Sequence, residues 1–177
     1  MNLWLRVMVI GIFAYFRKKI SANQTGTTHF YGMPHDVDIN IHLNNGRYFE
    51  IMDLGRLDLT IRIGIFRDFF LNKWQPLVTS SMIRYHRSLV LFSKYQLNTK
   101  IIGIDQKFIY IQQDFIRRDE LHARGVIKDC IVKNGQIIEP TMIQKKLGID
   151  FKTEIPDWIK TWEDTNSNFL KYDRFGS

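Results

Sequence analysis

The sequence predicts an α+β domain in which one long helix is enclosed by a largely antiparallel sheet. Three observations predict it. The apolar stretch 45–63 carries Tyr48, Ile51, Met52, Gly55 and Leu59 at helical spacing, with Phe49, Leu54 and Leu57 on other sides, so the helix needs cover around much of its circumference. Four segments of strand length, 78–87, 94–105, 107–117 and 121–133, follow it. The breaks between the last three are short enough for hairpins, which makes the pairing antiparallel.

With 177 residues, the chain makes one domain with a real core. A hydrophobic fraction of 45% and an aromatic fraction of 14% exclude a disordered chain. The net charge of +7 favours anionic partners: phosphorylated cofactors, acidic membrane surfaces or nucleic acid. No helix-turn-helix, zinc-finger or RNA-binding signature accompanies that charge, so nucleic acid is not an expected partner. Cys130 is the single cysteine, which leaves no internal disulfide and no cysteine-based zinc site. The expected location is cytoplasmic, with the inner face of a membrane as the peripheral variant.

Taken in order, the chain opens on an apolar segment, residues 1–20, that contains Arg6 and ends in Arg17-Lys18-Lys19. As a helix, Leu3–Phe16 would reach ~21 Å, short of the ~30 Å hydrocarbon core. Three readings stay open: a helix docked on the core, a membrane-surface anchor, or a short tilted span. Residues 21–28 read as a polar linker and 29–33 as a short strand closed by Pro34. The helix at 45–63 ends at Gly64, and 66–74 reads as a short helix or aromatic loop. After the four strands, Asn134-Gly135 marks a hairpin into Gln136-Ile137-Ile138. Residues 140–147 read as helical, and 156–170 as a last amphipathic segment. A single sheet layer of this kind leaves an edge, so a homodimer or a dimer of dimers is expected.

The loop before the central helix carries the chemistry. From Asp38 it reads Asp-x-Asn-x-His, and an extended backbone would turn Asp38, Asn40 and His42 to one side. Asn44, Asn45 and Gly46 then lead into the positive end of the helix. A carboxylate, an amide and an imidazole beside such an end suit chemistry on a polarised carbonyl.

The run HDVDINIHLNNGRYFEIMDLGRLDL resembles the hotdog-fold acyl thioesterases of the 4-hydroxybenzoyl-CoA thioesterase type. It is especially similar to the plant acyl-carrier-protein thioesterases, whose loop reads Asp-x-Asn-x-His-x-Asn-Asn. It is closer still to a thioesterase-like group with an N-terminal hydrophobic segment and the pattern Asp-hydrophobic-Asp, then His-x-Asn-Asn-x-Arg-Tyr. The likeness runs through RYHRSL and the Trp158 region, and it implies a hotdog domain over 27–170. It also implies hydrolysis of an acyl-CoA or acyl-carrier-protein thioester, without cofactor or metal. Carried over by position, Asp38 is the catalytic carboxylate, Asn40 and His42 fill the other catalytic positions of the plant type, and the Asn45 N–H polarises the thioester oxygen. One departure stands out: Ser88-Leu89 occupies the place where the plant enzymes carry an acidic residue and a cysteine.

Each residue also has a plainer role. Asp-x-Asp-x-Asn opens like a calcium loop, but Ile41-His42-Leu43 replaces the glycine such a loop needs. Asn44 and Asn45 suit helix caps, Tyr48 suits packing near the site, and Asp36 suits bonding to loop amides. Arg84, His86 and Arg87 form a basic strand end that could hold a CoA phosphate or simply face solvent. Tyr48, Arg84, His86 and Arg87 are therefore the substrate-binding candidates. The competing function is a non-catalytic acyl-binding or membrane-associated scaffold that keeps the fold.

Overall fold

The computed structural model describes residues 3–151 and 154–172. A six-stranded antiparallel sheet curls around a helix, as the hotdog resemblance implies. Its strands are β1 (Gly26–Tyr31), β2 (Gln75–Tyr85), β3 (Lys94–Ile104), β4 (Ile109–Arg117), β5 (Glu120–Lys133) and β6 (Gln136–Ile138). They run in the order β1-β3-β4-β5-β2, with β6 also pairing with β5. The helices are α1 (Leu3–Phe16), α2 (Asn45–Ile63), α3 (Phe66–Asn72), α4 (Pro140–Leu147) and α5 (Asp157–Tyr172).

The central helix α2 has the boundaries its periodicity predicts. The Asn44 side chain accepts from the Gly46 N–H at its start, and Gly64, at φ 95°, closes its end in the left-handed region. Ile51, Met52, Leu54 and Leu59 bury against Leu97, Phe115, Ile127 and Ile131 of the sheet. The helix comes close because Gly55 lets it. A Cβ there would sit 2.5 Å from Leu97 Cδ2 and 2.8 Å from Thr99 Oγ1. Gln113, fully buried, fastens the contact by donating to the Met52 carbonyl (2.8 Å) and to Thr99 Oγ1 (3.1 Å).

The alternation along β4 sorts its two faces. Ile109, Ile111 and Phe115 join the core under α2, whereas Tyr110 packs outward with Ile102, Val126 and Ile159. Both faces are covered because α5 lies across the outer one, bringing Ile159 and Trp162. The strand therefore buries nearly continuously rather than on one side only.

Two segments differ from their sequence reading. β1 begins at Gly26, inside the stretch expected to be a linker, and ends at Tyr31. The β-branched Thr27 and Thr28 suit a pleated surface: Thr28 is buried, and Thr27 Oγ1 donates to Asn98 Oδ1 of β3 at 2.8 Å. β2 likewise starts earlier than expected, at Gln75, because Pro76 sits on the sheet's outer strand, where its missing N–H costs nothing.

The N-terminal helix α1 lies along α2. Arg6 and Ala14 are buried, and Val7 and Ile10 pack on the core. Beyond its end, Arg17 reaches Asp58 of α2 at 2.8 Å, and the Ile20 N–H donates to the Arg62 carbonyl. Residues 1 and 2 of the expected N-terminal segment lie outside the described residues. Among those described, no helix is long and apolar enough to cross a membrane.

Candidate active site

The loop between β1 and α2 is folded back on itself. Val37 bridges Leu43, and a turn joins them in which the Ile41 N–H donates to the Asp38 carbonyl (3.0 Å) and the Asp38 N–H to the His42 carbonyl (2.8 Å). Asp38 Oδ1 accepts from the Asn40 N–H at 2.8 Å and the His42 N–H at 3.4 Å. Ile41 takes φ 60° to complete the turn. The period-two geometry expected over Asp38, Asn40 and His42 is therefore absent. An aspartate that bonds backbone amides two and four residues on makes a turn, and it outcompetes the extended form.

The turn still gathers most of the candidates. A pocket of about 210 Å³ is lined by Asp38, His42, Leu43, Asn45, Tyr48, Tyr85, His86, Arg87 and Ser88. Asp38 and His42, paired at the turn's base, both line it. Asn40, at the exposed tip, does not line it. Arg84 is also outside, exposed on β2 opposite Arg124.

The wall that faces the loop comes from the end of β2 and the chain after it. Leu43 N–H donates to the Leu89 carbonyl at 2.7 Å, and His42 bridges Val90, so the loop is pinned to 89–91. Arg87 is ion-paired with Glu120. Ser88, the departure noted in the sequence, lines the pocket, while Leu89 is fully buried beneath it.

The floor is aromatic. Tyr48, 2% exposed, meets Tyr85 and Phe115 edge-on at ring distances of 4.9 and 4.8 Å. Burial pushes the Tyr48 phenol up to about 12, against the pull of a backbone hydrogen bond at Leu89, so it is a neutral donor at ordinary pH. The Tyr85 hydroxyl donates to the Asn45 carbonyl at 3.4 Å. The Asn45 N–H, at the first helical position, has no carbonyl four residues back within the helix to bond. It is a donor at the positive end of α2, on the pocket's edge.

Asp36 is placed quite differently from Asp38. It is wholly buried in a single 3-10 turn, where Oδ2 accepts from Arg6 of α1 at 2.5 Å and from the Met33 N–H at 3.2 Å. Its carbonyl takes the Asn44 N–H at 2.8 Å. One residue thus ties α1 and the loop through its carboxylate and the α2 cap through its backbone carbonyl.

Two features escaped the sequence reading. His122 of β5 is buried behind the pocket, and its Nδ1 lies 3.2 Å from the Ser88 carbonyl; a carbonyl only accepts, so Nδ1 carries the proton. Its partner comes from the segment after β2, so the register of a distant strand pair had to be known first. The second is an apolar cavity of about 250 Å³ between α2, α3 and the sheet, lined by Leu57, Thr60, Ile63, Phe69, Val78 and Ile111 among others. Asp129 closes one wall, 9% exposed, and burial raises its pKa while Arg56 opposes the shift. Arg56 and Thr60 share a helical stripe with Asn45, which is the sequence signal that could have pointed to the cavity. Among the described residues, no cluster of three or more His, Cys, Asp or Glu could hold a metal ion.

Comparison with known proteins adds the family. The profile described as the thioesterase-like superfamily matches residues 33–162. Protein THEM6 of Drosophila melanogaster is 31% identical over 149 residues, covering 79% of this chain and 74% of that protein. Among solved structures, a probable thioesterase from Escherichia coli superposes with a TM-score of 0.64 at 19% identity, over 68% of this chain and 95% of that one. A DHNA-CoA thioesterase from Staphylococcus aureus gives 0.62 at 15% identity, over 83% and 94%.

Proposed function

We propose, since the chain belongs to the thioesterase-like superfamily, that it hydrolyses acyl-CoA, or acyl-carrier-protein, thioesters to the free acid and thiol. The observation that carries this reading is the meeting of Asp38, His42 and the start of α2 on one pocket. Thioester hydrolysis needs a base or nucleophile, a site for the developing oxyanion, and an exit for the thiolate. In this reading Asp38 takes the proton of the attacking water as the new C–O bond forms. The Asn45 N–H and the positive end of α2 receive the negative charge that develops on the carbonyl oxygen. The C–S bond then breaks, and the thiolate leaves without needing a strong acid.

His42 orients the water or the carboxylate from across the turn. His86 and Arg87, at the pocket rim, are offered to the anionic part of the CoA, with Arg84 further along the strand. Asn40 acts through the turn it helps form rather than by touching substrate. The acyl chain runs along the α2 stripe toward the apolar cavity at Leu57 and Thr60. From Asn45 to Arg56 that is about 16 Å of helix. Ser88 supports a second reading, an acyl-binding scaffold with little turnover, because no acidic side chain stands at that place to help activate water.

The two readings separate in one assay. A panel of acyl-CoAs is turned over by the purified full chain and by Asp38→Asn, with released thiol as the readout. Hydrolysis that falls at least ~100-fold in the variant, with the fold intact, supports the catalytic assignment. Equal rates in both proteins would place the chemistry elsewhere, and saturable binding without turnover would favour the scaffold.

A further inference from the structure

The helix α1 has two faces, and the protein covers one of them. The inner stripe, Arg6, Val7, Ile10 and Ala14, packs on the body. The outer stripe stays in solvent: Met8 is 59% exposed, Ile12 59%, Phe13 65%, Tyr15 69% and Phe16 81%. Trp4, at the other end, is 75% exposed. Taking about 200 Å² per aromatic ring, Trp4, Phe13, Tyr15 and Phe16 alone expose on the order of 500 Å². That matches the largest patch a soluble monomer usually shows, before Met8 and Ile12 are added. A separate, mostly apolar cleft lies on the inner side, where Val9 and Ile10 meet Phe30 and Tyr31 of β1.

Charge decides what covers it. The outer stripe ends directly at Arg17-Lys18-Lys19, where Lys18 is exposed, and the whole chain carries +7. Contacts between protein copies are depleted in lysine, whereas a helix lying in a bilayer interface combines buried Phe and Leu with amphipathic Trp and Tyr rings and a cationic flank. The helix is also too short to leave the interface and cross: its fourteen residues reach ~21 Å. We infer that the outer face of α1 is a docking surface for an anionic phospholipid bilayer, on which the helix lies flat while its inner face stays bound to the domain. Phe13 and Phe16 enter the acyl boundary, and Lys18 meets lipid phosphates and carboxylates. This inference does not rest on the hydrolytic reading, and either can fail without the other.

The test is co-sedimentation of the full chain with vesicles of phosphatidylcholine alone and of phosphatidylcholine mixed with phosphatidylserine. The native protein should sediment with the mixed vesicles, less with the neutral ones, and less again as salt is raised. The double variant Phe13→Ser/Phe16→Ser should lose at least about tenfold in partitioning. Lys18→Glu should weaken binding to mixed vesicles by about fivefold or more, with little effect on neutral ones. All three side chains face solvent, so the variants should melt like the parent, and a melt of each confirms it. Native protein left in the supernatant with both vesicle types overturns the inference, as does binding that the substitutions do not touch. So does vesicle-free self-association that Phe13→Ser/Phe16→Ser abolishes, because a second copy would then be the occupant.

Discussion

Asp36 and Asp38 are separated by one valine, yet their surroundings assign them different work. Asp36 has no exposure and faces the buried guanidinium of Arg6, so charge removal leaves Arg6 uncompensated. Breaking one side of such a pair costs about 3 kcal/mol. Asp36→Asn should therefore lower the denaturation midpoint clearly, while the rate per folded molecule changes little. Asp38→Asn should show the reverse pattern, slow turnover with a midpoint near the parent's. Chemical denaturation beside the thiol assay reads both, and matching stability losses in the two variants would dissolve the distinction. The sequence told these residues apart only by analogy. Asp36 is fixed by a partner thirty positions upstream, a contact that no local pattern encodes. Asp38 was read in an extended stretch of the loop because its polar neighbours alternate, but its own carboxylate captures the next amides and makes a turn instead.

Among the elements, α2 was the most legible, because its signals are local: an asparagine cap, a continuous 3.6-residue pattern and a left-handed glycine at the end. β1 was less so. Its threonines look like linker residues until β3 supplies the pairing that makes their branching useful. The closeness of α2 to the sheet was not legible at all, since Gly55 resembles any helical glycine in the sequence. The structure shows its reason: Leu97, Thr99 and Gln113 fill the space a methyl would take. Gly55→Ala gains helix propensity but forces α2 off the sheet, and overpacking of this kind costs about 1–3 kcal/mol. A destabilisation by denaturant melt is the expected outcome. A stabilised variant would mean the helix has room to shift.

For the molecule as a whole, the sheet ends on two strands, β1 and β2. β1 lies beside α1, whereas β2 carries Leu77, Val78 and Tyr85 at 39% exposure or more along an outer edge that pairs with no described strand. An edge of eleven residues without cover is a template for another strand. A second copy meeting it edge to edge would form an isologous contact, continue the sheet and bring the two α2 pockets near each other. Sedimentation velocity at micromolar concentration should show a dimer, and proline at Ser81 on that edge should shift it toward monomer. A stable monomer of the native chain would count against the assembly.

The bond between Arg6 and Asp36 has one more consequence, for thermodynamic linkage. It joins the helix whose outer face is exposed to solvent to the loop that carries Asp38. A ligand that favours one placement of α1 must favour the loop geometry that goes with it, by the difference in its affinity for the two placements. The relation is reciprocal, so with two placements of α1, occupancy of the pocket would change the affinity of α1 for a surface by the same factor. Binding at a surface and binding at a pocket would then be two readings of one coupling free energy, transmitted through a single buried residue.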